Sequence, residues 1–305
     1  AAARWPSFAR EIGGDSSNEM LGYRALGTIV TATSEAARLH LIELAVRAAL
    51  IGQRAALLDA SDIRSLEPGL TASVQAGLHF PEDALVEPPL VVAALRAALV
   101  KAGCEILSAH VASLEPTSSG VSVVTNVGRI MDADAVVVAT GWSAAPALAP
   151  ELSGLFPVKG QILTVSGVDR APRHMLRGEG VYLAPRSDGR IDIGATSEPG
   201  LDDLNVRPEA IIALRQKADA LFPALLRAPT IASRAGVRPG SPDHGPLLGR
   251  SSLGDAVYLA AGAYRNGVLL APLIADILAD AVLGTEGESR SSHWLQRFSA
   301  RRFSS

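Results

Sequence analysis

The predicted fold depends on the stretch Val257-Tyr-Leu-Ala-Ala-Gly-Ala-Tyr-Arg-Asn-Gly-Val-Leu-Leu-Ala-Pro272. The pattern predicts a buried strand over 257–261, a tight polar loop over 262–267 and a long apolar helix that begins near Val268. Free backbone N–H groups and the positive end of the helix dipole favour an electron-rich or anionic ligand at such a helix start. An ordinary α/β connection is the alternative, and the rest of the chain has to decide between them.

Composition excludes several classes of protein. The chain has 305 residues, 48% of them hydrophobic and 19% charged, which is enough for a large core in one or two interleaved domains. A net charge of −3 without a basic cluster argues against a nucleic-acid partner. The single cysteine, Cys104, excludes an intrachain disulfide and a multi-thiolate metal site, and the six histidines show no metal-ligand spacing. We therefore expect no metal.

The N-terminus lacks an apolar signal-peptide core. The longest apolar run, 268–283, carries a proline and two aspartates and is short for a membrane span. The expectation is a cytoplasmic enzyme that has no membrane partner.

Helix and strand signals alternate along the chain. Ser34 is a predicted N-cap and Pro88 a predicted helix start, and Ser187-Asp188-Gly189 is a predicted hairpin turn. Helices are predicted over 4–12, 34–50, within 59–70, 88–102 and 208–222. Residues 23–33 are predicted to form a hairpin or a single strand, and further strands are predicted over 105–108, 121–125, 133–139, 161–165, 181–184, 190–194 and 257–261.

One of these strands ends in a second candidate ligand position. Asp134-Ala-Val-Val-Val-Ala-Thr-Gly-Trp-Ser143 is a continuous apolar run, typical of a strand covered on both faces, and it leads into Thr140 and Gly141. In open α/β sheets ligands bind beyond the carboxyl ends of the strands. A helix and strands that lead into this run predict the second half of a dinucleotide-binding fold, with an unliganded strand end as the alternative.

Short stretches in one fixed order along the chain resemble the D-amino-acid-oxidase-type flavoenzymes, and within that family its glycine-oxidising members of thiamine biosynthesis. The stretches are Trp5-Pro6-x-Phe8, Gly22-Tyr-Arg-x-x-Gly-Thr28, Leu66-Glu-Pro-x-Leu70, Asp134-Ala-Val-Val-Val-Ala-Thr-Gly141, Pro157-Val-Lys-Gly-Gln161, Tyr182-Leu-Ala-Pro-Arg186, Asp188-Gly-Arg190, Gly194-Ala-Thr-Ser-Glu198, Ala235-Gly-Val-Arg-Pro239, Pro246-Leu-Leu-Gly249, Tyr264-Arg-Asn-Gly-Val-Leu-Leu-Ala-Pro272 and Arg302-Phe303.

The resemblance implies an α/β (mixed α+β) fold in which an incomplete Rossmann-like FAD-binding domain is interleaved with an antiparallel-sheet substrate domain. The family's opening GxGxxG unit has no counterpart in this sequence. We therefore expect a truncated chain that lacks the pyrophosphate-binding turn. The expected limits are 1–86 for the first part of the substrate domain, 87–155 for the middle of the FAD-binding domain, 156–234 for the second part of the substrate domain, 235–285 for the C-terminal part of the FAD-binding domain, and 286–305 for a tail.

Three side chains are implied to bind the substrate. Arg238 would pair with the substrate carboxylate, which a guanidinium fork binds through two hydrogen bonds. Arg265 would lie near the same carboxylate, and the hydroxyl of Tyr182 would donate to it. The alternatives are a structural salt bridge for Arg238, a solvated loop arginine and a buried core tyrosine. No side chain is implied as a catalytic acid or base.

The remaining implied contacts are to FAD. Backbone donors to the isoalloxazine ring are expected from Gly262, Ala263, Tyr264, Arg265, Asn266, Gly267, Val268 and Leu269. Ala263 stands where many relatives have histidine. The backbone of Val111 is expected at the adenine, and Thr140 and Gly141 beside the nucleotide. Lys159 and Gln161 belong to a segment that is expected to cross near the flavin.

The implied activity is FAD-dependent oxidative deamination of glycine and small D-amino or N-methyl amino acids by oxygen. The products are a 2-oxo acid, ammonia or an amine, and hydrogen peroxide. The expected role is the supply of glycine imine to thiazole-synthesis enzymes for thiamine, by a homo-oligomer, a homotetramer in relatives. The alternatives are a relative of sarcosine oxidase or D-amino-acid dehydrogenase, and a truncated, flavin-free, inactive protein.

Overall fold

A computed structural model describes residues 1–14, 20–143, 148–285 and 290–303. The helices are α1 (Trp5–Gly13), α2 (Glu35–Leu50), α3 (Ala60–Leu66), α4 (Pro88–Lys101), α5 (Pro208–Leu221), α6 (Gly267–Leu283) and α7 (Arg290–Arg297). The strands are β1 (Thr28–Ala32), β2 (Ala56–Asp59), β3 (Ala76–Phe80), β4 (Val111–Pro116), β5 (Val121–Thr125), β6 (Ile130–Ala133), β7 (Val136–Val138), β8 (Phe156–Val165), β9 (Met175–Gly178), β10 (Val181–Pro185), β11 (Ile191–Gly194), β12 (Glu198–Pro199), β13 (Thr230–Gly240), β14 (Leu247–Ser251) and β15 (Gly254–Ala261).

A nine-stranded sheet is the largest element. Its order is β12-β8-β11-β10-β9-β1-β3-β2, and β13 also pairs with β8. Most neighbours are antiparallel, whereas β1 pairs with β9 in parallel. One face carries a core of buried side chains, among them Leu163, Leu183 and Ile193, and α5 supplies further buried residues to the same core. The expected antiparallel sheet is therefore present.

The other face of this sheet carries polar side chains. Residues that lie directly opposite each other on neighbouring strands share a face, and every second residue of one strand does too. Tyr182 lies opposite Gly194, Gly194 opposite Ile162, and Ile162 opposite Arg234. Arg238 is four residues beyond Arg234 on β13, so it shares their face. The alternation thus separates an apolar face from a face with Tyr182 and the arginines.

A smaller sheet has the order β14-β15-β7. Strands β15 and β7 run parallel, with Val257 opposite Val136 and Leu259 opposite Val138. Their carboxyl ends therefore meet at one edge, which leads into Gly141 on one strand and Gly262 on the other. Helix α6 packs against β15, and an antiparallel meander β4-β5-β6 completes this part of the molecule.

The helix starts follow the sequence signals. The hydroxyl of Ser34 accepts a hydrogen bond from the backbone of Ala37 at the start of α2. Asp59 and Asp62 form a capping box at the start of α3. Pro88 and Pro208 occupy the first turns of α4 and α5. The predicted helix starts are therefore confirmed. They could be predicted because capping depends only on residues that are neighbours in the sequence.

The predicted strand over 105–108 is wrong. Residues 104–110 form no strand, and Ile106 and Leu107 are exposed. A strand is stabilised by hydrogen bonds to a neighbour, and within the described part of the chain this segment has no such neighbour. The predicted strand over 133–139 is shorter than expected, since β7 covers only Val136–Val138, and β6 was not predicted.

The domain limits remain predictions, and the one at 234–235 would divide a strand. Strand β13 crosses that limit and stays paired with β8 as far as Gly240, opposite Phe156. The pairing therefore favours a changeover after Gly240 instead. The predicted tail, 286–305, begins with residues 286–289, which lie outside the described residues, and then contains α7.

Helix α6 continues a 3₁₀ turn over Tyr264–Asn266, which gives one helical stretch of 20 residues, Tyr264–Leu283. Its most apolar window has a mean hydropathy of 1.7 and is only 22% buried. By length and composition alone this stretch would suit a membrane span, so the expectation that the run is too short is wrong. Two contacts tie it to the N-terminal helix region: Arg4 pairs with Asp276, and the indole of Trp5 donates to the carbonyl of Leu269.

Candidate active site

The Arg238 guanidinium lies over a glycine of the neighbouring strand. A Cβ built on Gly160 would overlap the Arg238 guanidinium nitrogens, so the absence of a side chain there makes room for the group. Its Nη1 donates to the carbonyl of Thr196 at 3.3 Å. Among the described residues no carboxylate is within ion-pair distance of Arg238. The alternative of a structural salt bridge is therefore not supported, and the guanidinium retains donors for an anion.

Tyr182 occupies an equivalent position over a second glycine. A Cβ on Gly194 would come within 2.5 Å of the Tyr182 hydroxyl. Burial raises the pKa of Tyr182, and the nearby carboxylate of Asp192 raises it further, while Arg238 acts in the opposite direction. The phenol therefore stays protonated and able to donate at neutral pH. Since its ring lies on the sheet face opposite the apolar core, the core-tyrosine alternative is not supported either.

An ion cluster lies beside Tyr182, with Asp192 and Arg186 largely buried and Arg234 half exposed. The carboxylate of Asp192 accepts from the Thr164 hydroxyl at 2.6 Å and pairs with Arg186 at 2.9 Å and Arg234 at 3.2 Å. Burial alone would raise the pKa of Asp192, but the hydroxyl and the two guanidinium groups outweigh it and the net shift is downward. Two cations for one carboxylate leave this part of the sheet face positive, which favours an anionic substrate.

The loop between β15 and α6 lies against the end of β13, the strand that carries Arg238. Gly262 and Tyr264 both have positive φ, +67° and +48°. A left-handed tyrosine is uncommon and is typical of functional sites. The Arg265 guanidinium carbon lies 5.2 Å from the centre of the Tyr264 ring, a cation–π contact. Arg265 is exposed, so neither its predicted substrate role nor the solvated alternative is decided by this contact.

A cavity of about 720 Å³ opens beside this loop. That volume is within the ~300–1,000 Å³ typical of small-molecule sites. Its lining is formed by two strand ends, the loop and the apolar face of α6, namely Val137, Ala139, Gly141, Pro239, Ala260, Ala261, Gly262, Ala263, Tyr264, Gly267, Ala271, Ile274, Ala275, Leu278, Ala279, Val282 and Leu283. The two glycine-containing strand ends thus line one largely apolar cavity.

The cavity fits the ring of a flavin. Both Gly141 and Gly262 line the cavity; a Cβ on Gly141 would meet nothing within 4 Å, whereas one on Gly262 would come within 2.9 Å of Leu247, so Gly262 allows the loop to pack closely on β14. The side chain of Asn266 does not cap α6, which leaves the N–H groups of its first turn available. An apolar cavity with free backbone donors and a positive dipole end suits a flat, electron-rich ring.

The predicted cofactor residues separate into two groups. Gly141, Gly262, Ala263, Tyr264 and Gly267 line the cavity. Six others do not: Val111, Thr140, Arg265, Asn266, Val268 and Leu269. Of these, Val111 lies in the meander opposite Thr125, Leu269 lies two residues from Gly267 and Ala271, and the other four adjoin lining residues in the sequence. Their predicted contacts with FAD remain predictions.

Lys159 and Gln161 lie on the opposite sheet face from Arg238. Lys159 is fully buried, and its Nζ is 2.5 Å from the carboxylate of Asp203. Gln161 donates to Glu198 at 2.7 Å and accepts from a backbone N–H. Both side chains are therefore satisfied by a polar network behind the site, and a direct contact with the flavin is not supported.

His244 was not identified from the sequence. It has a positive φ of +57°, and its ring stacks on Tyr264 with 5.2 Å between ring centres. The two strand glycines, Gly160 and Gly194, were likewise quoted only as parts of motifs. Their signal was available, since glycine inside a strand marks a close approach of another group, whereas nothing local distinguishes His244.

Two relatives match about three quarters of this chain in sequence. The glycine oxidase of Geobacillus kaustophilus (strain HTA426) is 36% identical over 241 residues, which are 76% of this chain and 63% of that protein. The bifunctional protein ThiO/ThiG of Trichormus variabilis (strain ATCC 29413 / PCC 7937) is 37% identical over 246 residues, 78% of this chain and 36% of that protein. The chain thus spans less than two thirds of the length of either relative.

The fold is shared as well. The crystal structure of glycine oxidase from Geobacillus kaustophilus superposes with a TM-score of 0.90 at 30% identity, and the match covers all of this chain and 82% of that one. The family model described as "FAD dependent oxidoreductase" (DAO) matches residues 2–281. That match covers most of the 305 residues, so the chain belongs to the DAO family of FAD dependent oxidoreductases.

Proposed function

We propose that this protein oxidises glycine and small D-amino or N-methyl amino acids with FAD and oxygen. The reaction consumes the amino acid, oxygen and water, and it yields a 2-oxo acid, ammonia or an amine, and hydrogen peroxide. The observation that carries the proposal is the placement of Arg238 and Tyr182 on one sheet face, each over a glycine, with Arg238 near the end of β13, whose next residue, Pro239, lines the cavity. Similarity to two proteins whose names include glycine oxidase or ThiO supports it.

Arg238 and Tyr182 would bind the carboxylate of the amino acid. The guanidinium supplies charge and paired donors, and the phenol supplies a third donor, so the carboxylate is held in one orientation. Fixing the carboxylate also fixes the α-carbon relative to the cavity, which is the main requirement of such a reaction. Substrates with short side chains are favoured, because Arg238 and Tyr182 hold the carboxylate close to the sheet and leave little room beside it.

The residues around the cavity would hold the flavin. The backbone at Gly141, Gly262 and Gly267 would meet the ring, and the start of α6 would stabilise negative charge on it. When bound, FAD accepts two electrons from the substrate and passes them to oxygen. The protein's contribution is therefore orientation and a dry apolar environment.

The proposal is tested with purified protein and added FAD. Bound flavin is read from its visible absorption, and glycine, sarcosine and D-alanine are compared by release of hydrogen peroxide. Peroxide from glycine is the expected result. A preference for sarcosine would favour a sarcosine-oxidase relative, and turnover with a quinone but without peroxide would favour a D-amino-acid dehydrogenase. A protein that binds no flavin and oxidises none of these would contradict the proposal and favour a flavin-free, inactive protein.

Two further roles complete the proposal. The product imine would feed thiazole synthesis, for which the similarity to a fused ThiO/ThiG protein is the support. A coupled assay with a thiazole synthase tests this role, since glycine should then replace an external source of imine. Assembly as a homotetramer in the cytoplasm is proposed from the resemblance alone, and sedimentation equilibrium measures the number of subunits.

A further inference from the structure

Arg302, from the closing Arg302-Phe303 pair, has no part in the proposed chemistry, yet it is among the most extensively bonded side chains described. All three guanidinium nitrogens donate hydrogen bonds. Nε and Nη2 bind the carboxylate of Asp243 at 3.0 and 2.9 Å. The other acceptors are the carbonyls of Gly245, Pro246, Phe298 and Ser299, at 2.9 to 3.1 Å. The Arg302 side chain is 15% exposed and that of Asp243 is 45% exposed, so the bonds to the four carbonyls are partly buried while the pair with Asp243 faces solvent.

The acceptors Asp243, Gly245 and Pro246 belong to one turn, residues 241–246. The turn is also bonded internally, because Asp243 accepts from the backbone of Gly245 and the Ser241 hydroxyl donates to the carbonyl of Gly245. At its tip His244 has a positive φ of +57°. A left-handed histidine is strained, and it persists only where surrounding contacts fix the backbone. The internal bonds of the turn, among them that from the His244 N–H to the carbonyl of Ser241, and the hydrogen bonds from Arg302 are the contacts available to fix it.

The tip of the turn contacts the loop of the candidate active site. The His244 ring stacks on Tyr264, 5.2 Å between centres with 23° between planes, and Phe156 meets the other side of His244 edge-on at 6.5 Å. Tyr264 in turn lines the cavity and contacts Arg265. The chain of contacts therefore runs from Arg302 through Asp243 and His244 to Tyr264.

We propose that Arg302 is a positioning residue for the candidate active site: by holding the turn 241–246 it keeps His244 stacked on Tyr264 and so fixes the loop between β15 and α6. The part that concerns catalysis rests on the proposed function, whereas the part that concerns the stack does not. Lysine cannot form the bidentate hydrogen bonds that Arg302 makes with Asp243, so the role requires arginine and not only a positive charge.

The stack is tested by NMR of the full chain labelled at histidine Cε1, without substrate. His244→Gln assigns the His244 signal. In Arg302→Ala and Arg302→Lys we expect this signal to move to the position of an unstacked histidine. Arg301→Ala is the matched control, because Arg301 lies in the same 3₁₀ turn, Ala300–Phe303, but its guanidinium donates to the carbonyl of Ser251 and not to the turn 241–246; the signal should not move. A folded Arg302→Ala protein with an unchanged His244 signal overturns the proposal.

Should Arg302→Ala fail to fold, Arg302→Lys and Asp243→Asn decide the question in the same way. Asp243→Asn keeps the shape of the side chain while removing the charge that the guanidinium binds. The expected result is again a displaced His244 signal. Two folded variants with the wild-type signal would overturn the proposal.

Steady-state kinetics test whether Arg302 and His244 influence the candidate active site. In FAD-loaded protein, His244→Ala should raise the KM for glycine about two- to tenfold, the size of an aromatic pair's contribution, with a smaller change in kcat. Arg302→Ala should match it, and the double variant should add nothing, because both changes remove one arrangement. Additive effects in the double variant would overturn the proposal. Wild-type protein without activity would contradict the proposed function, while the NMR result would still decide the stack.

Discussion

Gly160 and Gly194 show how a glycine can make room for a functional side chain on the neighbouring strand. Both lie inside strands, where glycine weakens the strand, and both lie under a large functional side chain. The sheet places Arg238 and Tyr182 on one face, and the glycines let the two side chains lie down on that face. The proposed carboxylate site therefore consists of four residues, of which two contribute only their lack of a Cβ.

Arg238→Ala should raise the KM for glycine about 10- to 100-fold, because hydrogen bonds to charged groups are worth about 1.5–3 kcal/mol. Steady-state kinetics with glycine give the KM, and a flavin titration gives the affinity for FAD, which should change far less. Arg234→Ala is the matched control from the same strand and face, since its guanidinium is held by Asp192. An equal rise of KM in both variants would contradict the assignment.

Gly160→Ala should raise the KM for glycine about two- to tenfold without unfolding the protein. The new Cβ would overlap the guanidinium of Arg238, which can move only by leaving its rotamer, at a cost of about 0.5–1.5 kcal/mol. Gly236→Ala is the control: Gly236 lies directly opposite Gly160, and a Cβ there meets nothing within 4 Å. Kinetics and thermal unfolding of both variants check this expectation, and unchanged kinetics in Gly160→Ala would disprove the close approach.

Individual elements differ in how far the sequence predicts them. The start of α2 at Ser34 and the strand–loop–helix around Gly262 were predictable, because capping and hydrophobic periodicity act over a few residues. The segment 105–108 has the composition of a strand but no neighbour to pair with among the described residues. The face on which Lys159 lies depends on its register with β13, and the contact of His244 depends on Arg302, far along the chain. Such features need the tertiary structure.

Ser34→Ala should lower the free energy of unfolding by about 0.5–2 kcal/mol, the usual cost of losing an N-cap. The Ser34 hydroxyl accepts from the backbone of Ala37 at 3.2 Å, and alanine would leave that donor without this partner. Ser34→Asn should retain most of the stability, since asparagine is an equally good cap. Urea unfolding of the two variants measures the difference, and equal losses would show that the cap is not the cause.

The stability of the whole molecule should depend on pH in the acid range. The Arg302 guanidinium is the main cause that lowers the pKa of Asp243 to about 2. A carboxylate whose pKa is lower in the folded state stabilises the fold above its unfolded pKa of about 4, and this contribution is lost as the pH falls from about 4 towards 2. Asp188, Asp192 and Glu198 have lowered pKa values too and act in the same direction.

Asp243→Asn should therefore flatten the decline of unfolding free energy between about pH 4 and pH 2. Arg302→Gln, which removes the partner and keeps the carboxylate, should flatten the same range. Urea unfolding at several pH values measures both slopes. A wild-type slope in the two variants would show that this pair does not contribute to acid sensitivity.

The parallel pairing of β1 with β9 also constrains how the molecule folds. Thr28 lies opposite Met175 and Val30 opposite Arg177, so the β1–β9 pairing joins two parts of the large sheet that are distant in the sequence. The long loop between β1 and β9 must lose conformational entropy before the hydrogen bonds between these strands can form, and this slows folding. Strands β1, β2 and β3 pair among themselves within residues 28–80, so they can form before β9. During synthesis the edge of β1 that pairs with β9 therefore stays open until the ribosome has released β9.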